Sequence, residues 1–255
     1  MFGSKRTREP VTGPFYQQRS WVGSALFMAF LLVMALTAAM TNDDGKGLSA
    51  ESQDALGDVK GPLSPGDPQG VRTGRGGRPE NCRTDDRDTT VPTAAPQGIQ
   101  WKQFDAVMLP VSPVAGPLNI DPSMWWCFGH TPLGAVLAAT VIPVSASSDG
   151  WRTVTAQQLV PGTARDRYVT RKLAAPSTNP AESAVGRFVG FSVAHYQSGA
   201  ATVRLLLTNP AGGYMAATTN LRWRDGDWKL APQDSGSLYS ATAQAQPDGF
   251  VLWGA

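Results

Sequence analysis

Residues 129–139 read GHTPLGAVLAA, the head of a run that carries no charge until Asp149. Thr131 has the side chain of an N-cap, and Pro132 suits the first helical position, where a missing N–H costs nothing. Leu133, Val136, Leu137 and Val141 recur on one face at helical spacing. Pro143 disfavours helix at Ile142, so the spacing predicts a helix over 132–142. A helix without charge on any side must be covered nearly all round. His130 falls just before the cap, a position set by backbone geometry, and no local partner equips it as a base or ligand.

The cover for such a helix is written further along the chain. SDGWRTVTAQQLVPGTARDRYVTRKLAA, residues 148–175, reads as two helices broken at Pro161-Gly162. The period then changes. In GRFVGFSVAHYQ (186–197) Val189, Phe191, Val193 and His195 alternate with Phe188, Gly190, Ser192 and Ala194, which aims His195 at the interior. In TVRLLLT (202–208) Val203, Leu205 and Leu207 share a face. In LRWRDGDWKL (221–230) Asp225-Gly226 is a type I′ turn signal. That turn pairs Arg224 with Asp227, Trp223 with Trp228 and Leu221 with Leu230. One face is then Trp and Leu, while the other carries Arg222, Arg224, Asp227 and Lys229. Helices before an antiparallel meander make an α+β domain, with the charge-free helix lying in the hollow of a curved sheet.

Outward from this domain, 98–255, the composition shifts. Residues 1–20 hold Lys5, Arg6, Arg8 and Arg19 against Glu9, a net of 4 − 1 = +3. Trp21–Met40, WVGSALFMAFLLVMALTAAM, has no charge, and its 20 residues span roughly 30 Å as a helix, the thickness of a bilayer core. The basic flank keeps 1–20 in the cytoplasm and sends the rest outward, so 21–41 reads as a single-pass anchor in contact with lipid. A cleaved signal peptide ending near Thr37-Ala38-Ala39 is the alternative. Residues 42–97 hold ten acids against seven bases, are rich in Gly and Pro, and show no period. They read as a disordered tether, with an end-to-end distance of roughly 40 Å as a flexible coil.

HTPLGAVLAA, the tryptophan-bearing stretch, the meander and RWRDGDWKL together resemble the cone-shaped α+β fold of nuclear-transport-factor-like and ketosteroid-isomerase-like domains. With the anchor, the tether and the terminal FVLWG, the chain is similar to the membrane-anchored proteins of this fold on actinobacterial conjugative elements. Their layout is that of TcpC-like proteins and the bitopic inner-membrane scaffold of type IV secretion. The resemblance implies a scaffold acting by protein–protein contact, with membrane or secretion-apparatus proteins and a second copy of the chain as partners. It implies neither a catalytic set nor a cofactor.

Particular residues allow other readings. An isomerase-like enzyme would draw an acid, a base and an oxyanion donor from His195, Tyr196, Tyr214 and Asp166, with His195 and Tyr196 at a pocket. No GxSxG, HExxH, P-loop or CxxC pattern occurs in the chain. His130, His195, Cys82 and Cys127 lack zinc-site spacing. SMWWCFGH (123–130) could stack on a cell-wall sugar or anchor a partner through Trp125, Trp126 and Phe128, joined by Phe250 and Trp253 near the C-terminus, or these rings could close the core. Arg165, Arg167, Arg171 and Lys172 are interrupted by Asp166, so no basic groove marks a nucleic-acid site. Cys82 and Cys127 are an even pair on the exported side. They fit one bridge closing a loop of about 45 residues, worth at most about 4 kcal/mol, with a buried free thiol at Cys127 as the alternative.

Overall fold

The computed structural model describes residues 54–57, 59, 61–63, 78, 81–175, 186–209, 211–240 and 243–254. The expected span Trp21–Met40 lies outside them, and among the described residues no helix is long and apolar enough to cross a membrane.

Two small antiparallel pairs come first: β1 (Gln100–Phe104) with β2 (Val107–Val111), and β3 (Asn119–Ile120) with β4 (Trp125–Trp126). Helix α1 (Pro132–Ser147) is next, then α2 (Trp151–Gln158) and α3 (Thr163–Ala174). The large antiparallel sheet is built from β5 (Phe188–Gln197), β6 (Ala200–Thr208), β7 (Tyr214–Arg224), β8 (Asp227–Ala231), β9 (Ala243–Ala245) and β10 (Val251–Leu252). Its order is β10-β5-β6-β7-β8, with β9 pairing the other end of β7 from β8. The fold is therefore α+β, and the helices precede the meander.

Helix α1 packs on β5, β6, β7 and β8 and touches β2 and β4 on other sides, so nearly every residue from Pro132 to Ala146 is buried. Thr131 caps it, its Oγ1 accepting from Gly134 N at 3.0 Å. Gly134 is required by close approach: a Cβ there would fall 2.0 Å from Gly129 O. The helix does not end before Pro143 but runs four residues beyond it. Proline removes one ladder bond, but burial on every side outweighs that loss. Hydroxyls supply local bonds instead: Thr140, Ser145 and Ser147 donate to the carbonyls of Val136, Val141 and Pro143. The last turn is closed from α3, where Tyr168 Oη donates to Ala146 O and Lys172 Nζ donates to Ser147 O. The break between α2 and α3 falls at Pro161-Gly162, where Gly162 has φ +140°.

The β7–β8 hairpin has the expected register, Leu221↔Leu230, Trp223↔Trp228 and Arg224↔Asp227. Asp225 and Gly226 have φ 55° and 78°, as a type I′ turn requires. Its polar face is divided: Arg222 and Arg224 on β7 are exposed, but the two residues on β8 are not. Asp227 and Lys229 are both buried, Lys229 with its Nζ 2.7 Å from Asp225 Oδ2. His195 does not point inward either. Register shifts at Phe188/Gly190 and Val193/His195 break the alternation of β5. Each extra residue turns the remainder of the strand to the other face, leaving His195 exposed.

The folded part also begins before residue 98. Leu56, Leu63, Arg78 and Cys82 are buried, and the disulfide Cys82–Cys127 (S–S 2.04 Å) fastens the incoming chain to the segment between β4 and α1. The stretch is poor in apolar residues, but Leu56, Leu63 and Cys82 serve as anchors, which a search for period cannot see. At the other end FVLWG forms a last strand: β10 pairs with β5, and Trp253 N donates to Val189 O.

Candidate functional site

Between β4 and α1 the chain must turn from a strand into a buried helix, and Cys127 takes φ +72° to do so. Buried backbone groups need partners there, and the rest of the domain supplies them one by one. Asp227, placed at the first position of β8 by the turn before it, accepts from Cys127 N (Oδ2, 2.8 Å) and Phe128 N (Oδ1, 2.9 Å), and Oδ1 also accepts from Trp228 N at 2.9 Å. Cys127 O accepts from Leu118 N, and Gly129 N donates to Ala115 O. Gly129 O accepts from Trp228 Nε1 at 2.9 Å, and Phe128 O accepts from Arg78 Nη2 at 2.5 Å. His130 N donates to Asp86 Oδ1 at 2.8 Å, and His130 O accepts from Tyr196 Oη at 3.3 Å.

Arg78 joins this turn to the chain that enters the domain. Besides Phe128 O, it reaches Cys82 Sγ at 3.0 Å, Thr84 Oγ1 at 2.5 Å and Asp86 Oδ2 at 2.9 Å, and its guanidinium lies 5.1 Å from the Trp223 ring. The His130 ring stacks on Trp223 (centroids 3.9 Å apart, 10° between planes) and meets Trp228 edge-on at 5.9 Å. Its Nε2 lies 2.5 Å from Ser198 O, and a carbonyl only accepts, so the proton is on Nε2. Burial pushes the Asp227 carboxyl up to about 6, against the opposing pull of three backbone N–H groups and Arg78. Burial also raises the Tyr196 phenol, helped by the negative charge of Asp86.

The arrangement is a lock. One carboxylate, one guanidinium, one disulfide and an aromatic stack hold the entry of the chain, the cap of α1 and the β7–β8 hairpin at one point. Of the residues that carry it, Arg78 has no signal in the sequence, and Asp227 is read there only as part of the hairpin. Asp225-Gly226 accounts for the turn, and only the topology shows that Asp227 faces the turn before α1. Arg78 stands four residues before Cys82, a spacing with no meaning in an aperiodic stretch.

The other candidates fall elsewhere. Tyr196 pairs with Ala201 and Tyr214 with Thr208, opposite ends of β6 and so roughly 24 Å apart at about 3.4 Å per residue. Asp166 is buried on α3, 3.6 Å from Arg165. His195 is exposed, so it and Tyr196 do not form an interior pocket. Among the described residues no group of three or more His, Cys, Asp or Glu is placed to hold a metal ion. Trp125, Trp126, Phe128 and Trp253 are buried and therefore close the core rather than present a contact face; Trp253 meets Trp101 edge-on at 5.9 Å and Phe191 at 4.6 Å. Phe250 is half-buried under the Arg204 guanidinium. An open groove of about 520 Å³ lies beside Leu118, Asn119, Ile120, Asp121 and Trp126. The Trp126 indole there donates to Asp121 Oδ2 at 3.3 Å, and its ring is not offered to solvent.

Residues 63–252 match a family model described as Domain of unknown function (DUF8175). No curated protein and no solved structure matches the chain.

Proposed function

The chain belongs to the family described as Domain of unknown function (DUF8175), and for this member we propose a membrane-anchored extracytoplasmic scaffold of a conjugation or type IV secretion-like apparatus, acting by protein–protein contact. The uncharged run Trp21–Met40 is its anchor, the tether carries the head away from the bilayer, and the head is cone-like, with α1 in the hollow of the sheet.

The observation that carries this reading is the buried tie between Cys82 and Cys127. Disulfides persist on the exported side of a membrane and are rare in the cytosol, which agrees with the orientation drawn from the basic N-terminal flank. A tethered head also experiences tension along its incoming chain. Tension that passes the buried Leu56 and Leu63 is delivered by the tie to the turn before α1 and not to β1. The polar groups at that point support the fold directly: Asp227 is taken by three N–H groups and His130 is stacked on Trp223.

Deletion of the gene should reduce transfer of a mobile element between cells at least tenfold. The full chain should restore transfer, and residues 48–255, the whole compact unit, exported without an anchor should not. Crosslinking in the native membrane should capture another component of the apparatus. Unchanged transfer frequency in the deletion strain overturns the proposal.

A further inference from the structure

The two sulfurs of the disulfide stand in unlike surroundings. Arg78 Nη2 donates to Cys82 Sγ at 3.0 Å from a side chain that is only 5% exposed. A buried cation at hydrogen-bond distance favours a thiolate over a thiol, as cations beside reactive cysteines do. Asp86 takes part of that charge, its Oδ2 lying 2.9 Å from Arg78 Nη1, but its side chain is 38% exposed and water weakens its pull. The nitrogen turned to the sulfur is the other one. Cys127 has the opposite setting. It is fully buried, and its backbone N–H is held by the Asp227 carboxylate at 2.8 Å, so the nearest acid works against a second negative charge there. Access divides in the same way. Cys82 lies between the exposed Asn81 and Arg83, whereas Cys127 lies between the buried Trp126 and Phe128.

We propose that Cys82 is the reactive thiol of the pair, the site at which a disulfide-bearing oxidant is engaged, and that Arg78 is its positioning residue. The Cys82 thiolate attacks one sulfur of the oxidant's disulfide. A mixed disulfide forms at Cys82, and the oxidant's other sulfur leaves as a thiolate. Cys127 then gives its proton to water and attacks Cys82 Sγ, and the oxidant's remaining sulfur leaves in turn. Two electrons pass from the two cysteines to the oxidant, and the two protons they release are taken up by the departing thiolates. The reverse order requires the oxidant to reach a sulfur with no exposed surface.

The size of the effect follows from the thiolate fraction. An ordinary thiol titrates near 8.5, so about 3% is thiolate at pH 7, and a one-unit drop raises this to about 24%. That gain of about eightfold exceeds the loss of about threefold in nucleophilicity that a less basic sulfur suffers, leaving a net gain of about threefold. Burial alone acts in the other direction, since it favours the neutral thiol.

The test uses the full chain in detergent, reduced and then freed of reductant. Iodoacetamide labelling at each cysteine is followed by peptide mass from pH 5 to 10, with each rate normalised to its plateau at high pH so that exposure cancels. Cys82 should reach half its plateau at least one pH unit lower in the folded wild type than in Arg78→Gln, and at least one unit lower than in the same wild type denatured. The denatured reference needs no variant, so the test stands even where Arg78→Gln does not fold. Oxidised glutathione at pH 7 should appear first on Cys82, about threefold faster in wild type than in Arg78→Gln. A Cys82 profile at or above the denatured one, a profile that a folded Arg78→Gln leaves unmoved, or glutathione found first on Cys127 overturns the proposal. So does a reduced wild type that unfolds, because Arg78 is then no longer held against the sulfur. None of these readouts involves a bilayer or a transfer apparatus, so they fail or succeed separately from the transfer assay above.

Discussion

Replacing Asp227 by asparagine separates the two forces that meet at the lock. Ionised, the carboxylate accepts from Cys127, Phe128 and Trp228, yet burial wins and raises its pKa from 3.8 to about 6. A shift of about 2 units corresponds to about 3 kcal/mol between the two protonation states. The folded carboxyl holds its proton to higher pH than the unfolded one. The stabilisation that this represents is complete below about pH 4 and is lost as pH rises through about 6. The protonated acid and asparagine are alike here, each keeping one accepting oxygen and turning a donor toward a neighbouring N–H. At pH 4 the wild type and Asp227→Asn should therefore agree within about 1 kcal/mol, since that donor liability of about 1–3 kcal/mol is common to both. By pH 7 the variant should be more stable by about 3 kcal/mol. Other titrating groups are shared and cancel in the difference. Denaturant unfolding of both chains at pH 4, 5, 6 and 7 measures it. A difference that stays flat, or a wild type that gains on the variant as pH rises, refutes the reasoning: the three N–H groups and Arg78 would then outweigh burial. Asp227→Ala serves as the control. It leaves three buried N–H groups without an acceptor and should destabilise at every pH, by about 3 kcal/mol or more at pH 4.

Gly134→Ala should destabilise α1 although alanine is the better helix former by about 1 kcal/mol, because its Cβ would sit 2.0 Å from Gly129 O; a rise in Tm refutes the close approach. Gly226→Val should lower Tm strongly, since a β-branched residue resists the φ of 78° found there, and little change would mean that the hairpin closes another way. Alkylation of the denatured chain without reductant should modify neither cysteine, and reduction should destabilise by at most about 4 kcal/mol; two alkylated cysteines refute the bridge. His195→Ala, at an exposed position, should change stability by less than about 0.5 kcal/mol, and a larger loss would place the ring in the interior after all.

The parts of the fold that could be read from the sequence are those fixed by local rules. Thr131-Pro132 marks the start of α1 because capping and proline geometry act within one turn. Asp225-Gly226 sets the hairpin register because a two-residue turn leaves only one pairing. Local rules fail where a distant partner changes the outcome. Pro143 should end a helix, but one covered on every side tolerates it. Val189, Phe191, Val193 and His195 look like one face, but two irregularities in β5 cannot be seen in a pattern of apolar residues. The lock was hidden for the same reason. Asp227 and Cys127 are separated by 100 residues, and the hydrogen bond between them exists only after the sheet has formed.

That dependence suggests an order of assembly. The β7–β8 hairpin forms from neighbours in sequence, and with it Asp227 and Trp228 take their places. The turn before α1 gains acceptors for Cys127 N and Phe128 N, and a donor for Gly129 O, only when this hairpin is present. With that turn held, Cys127 is positioned for Cys82, and Arg78 can bond both Cys82 Sγ and Phe128 O. Each contact makes the next one shorter in loop entropy, so the tie to the incoming chain closes late.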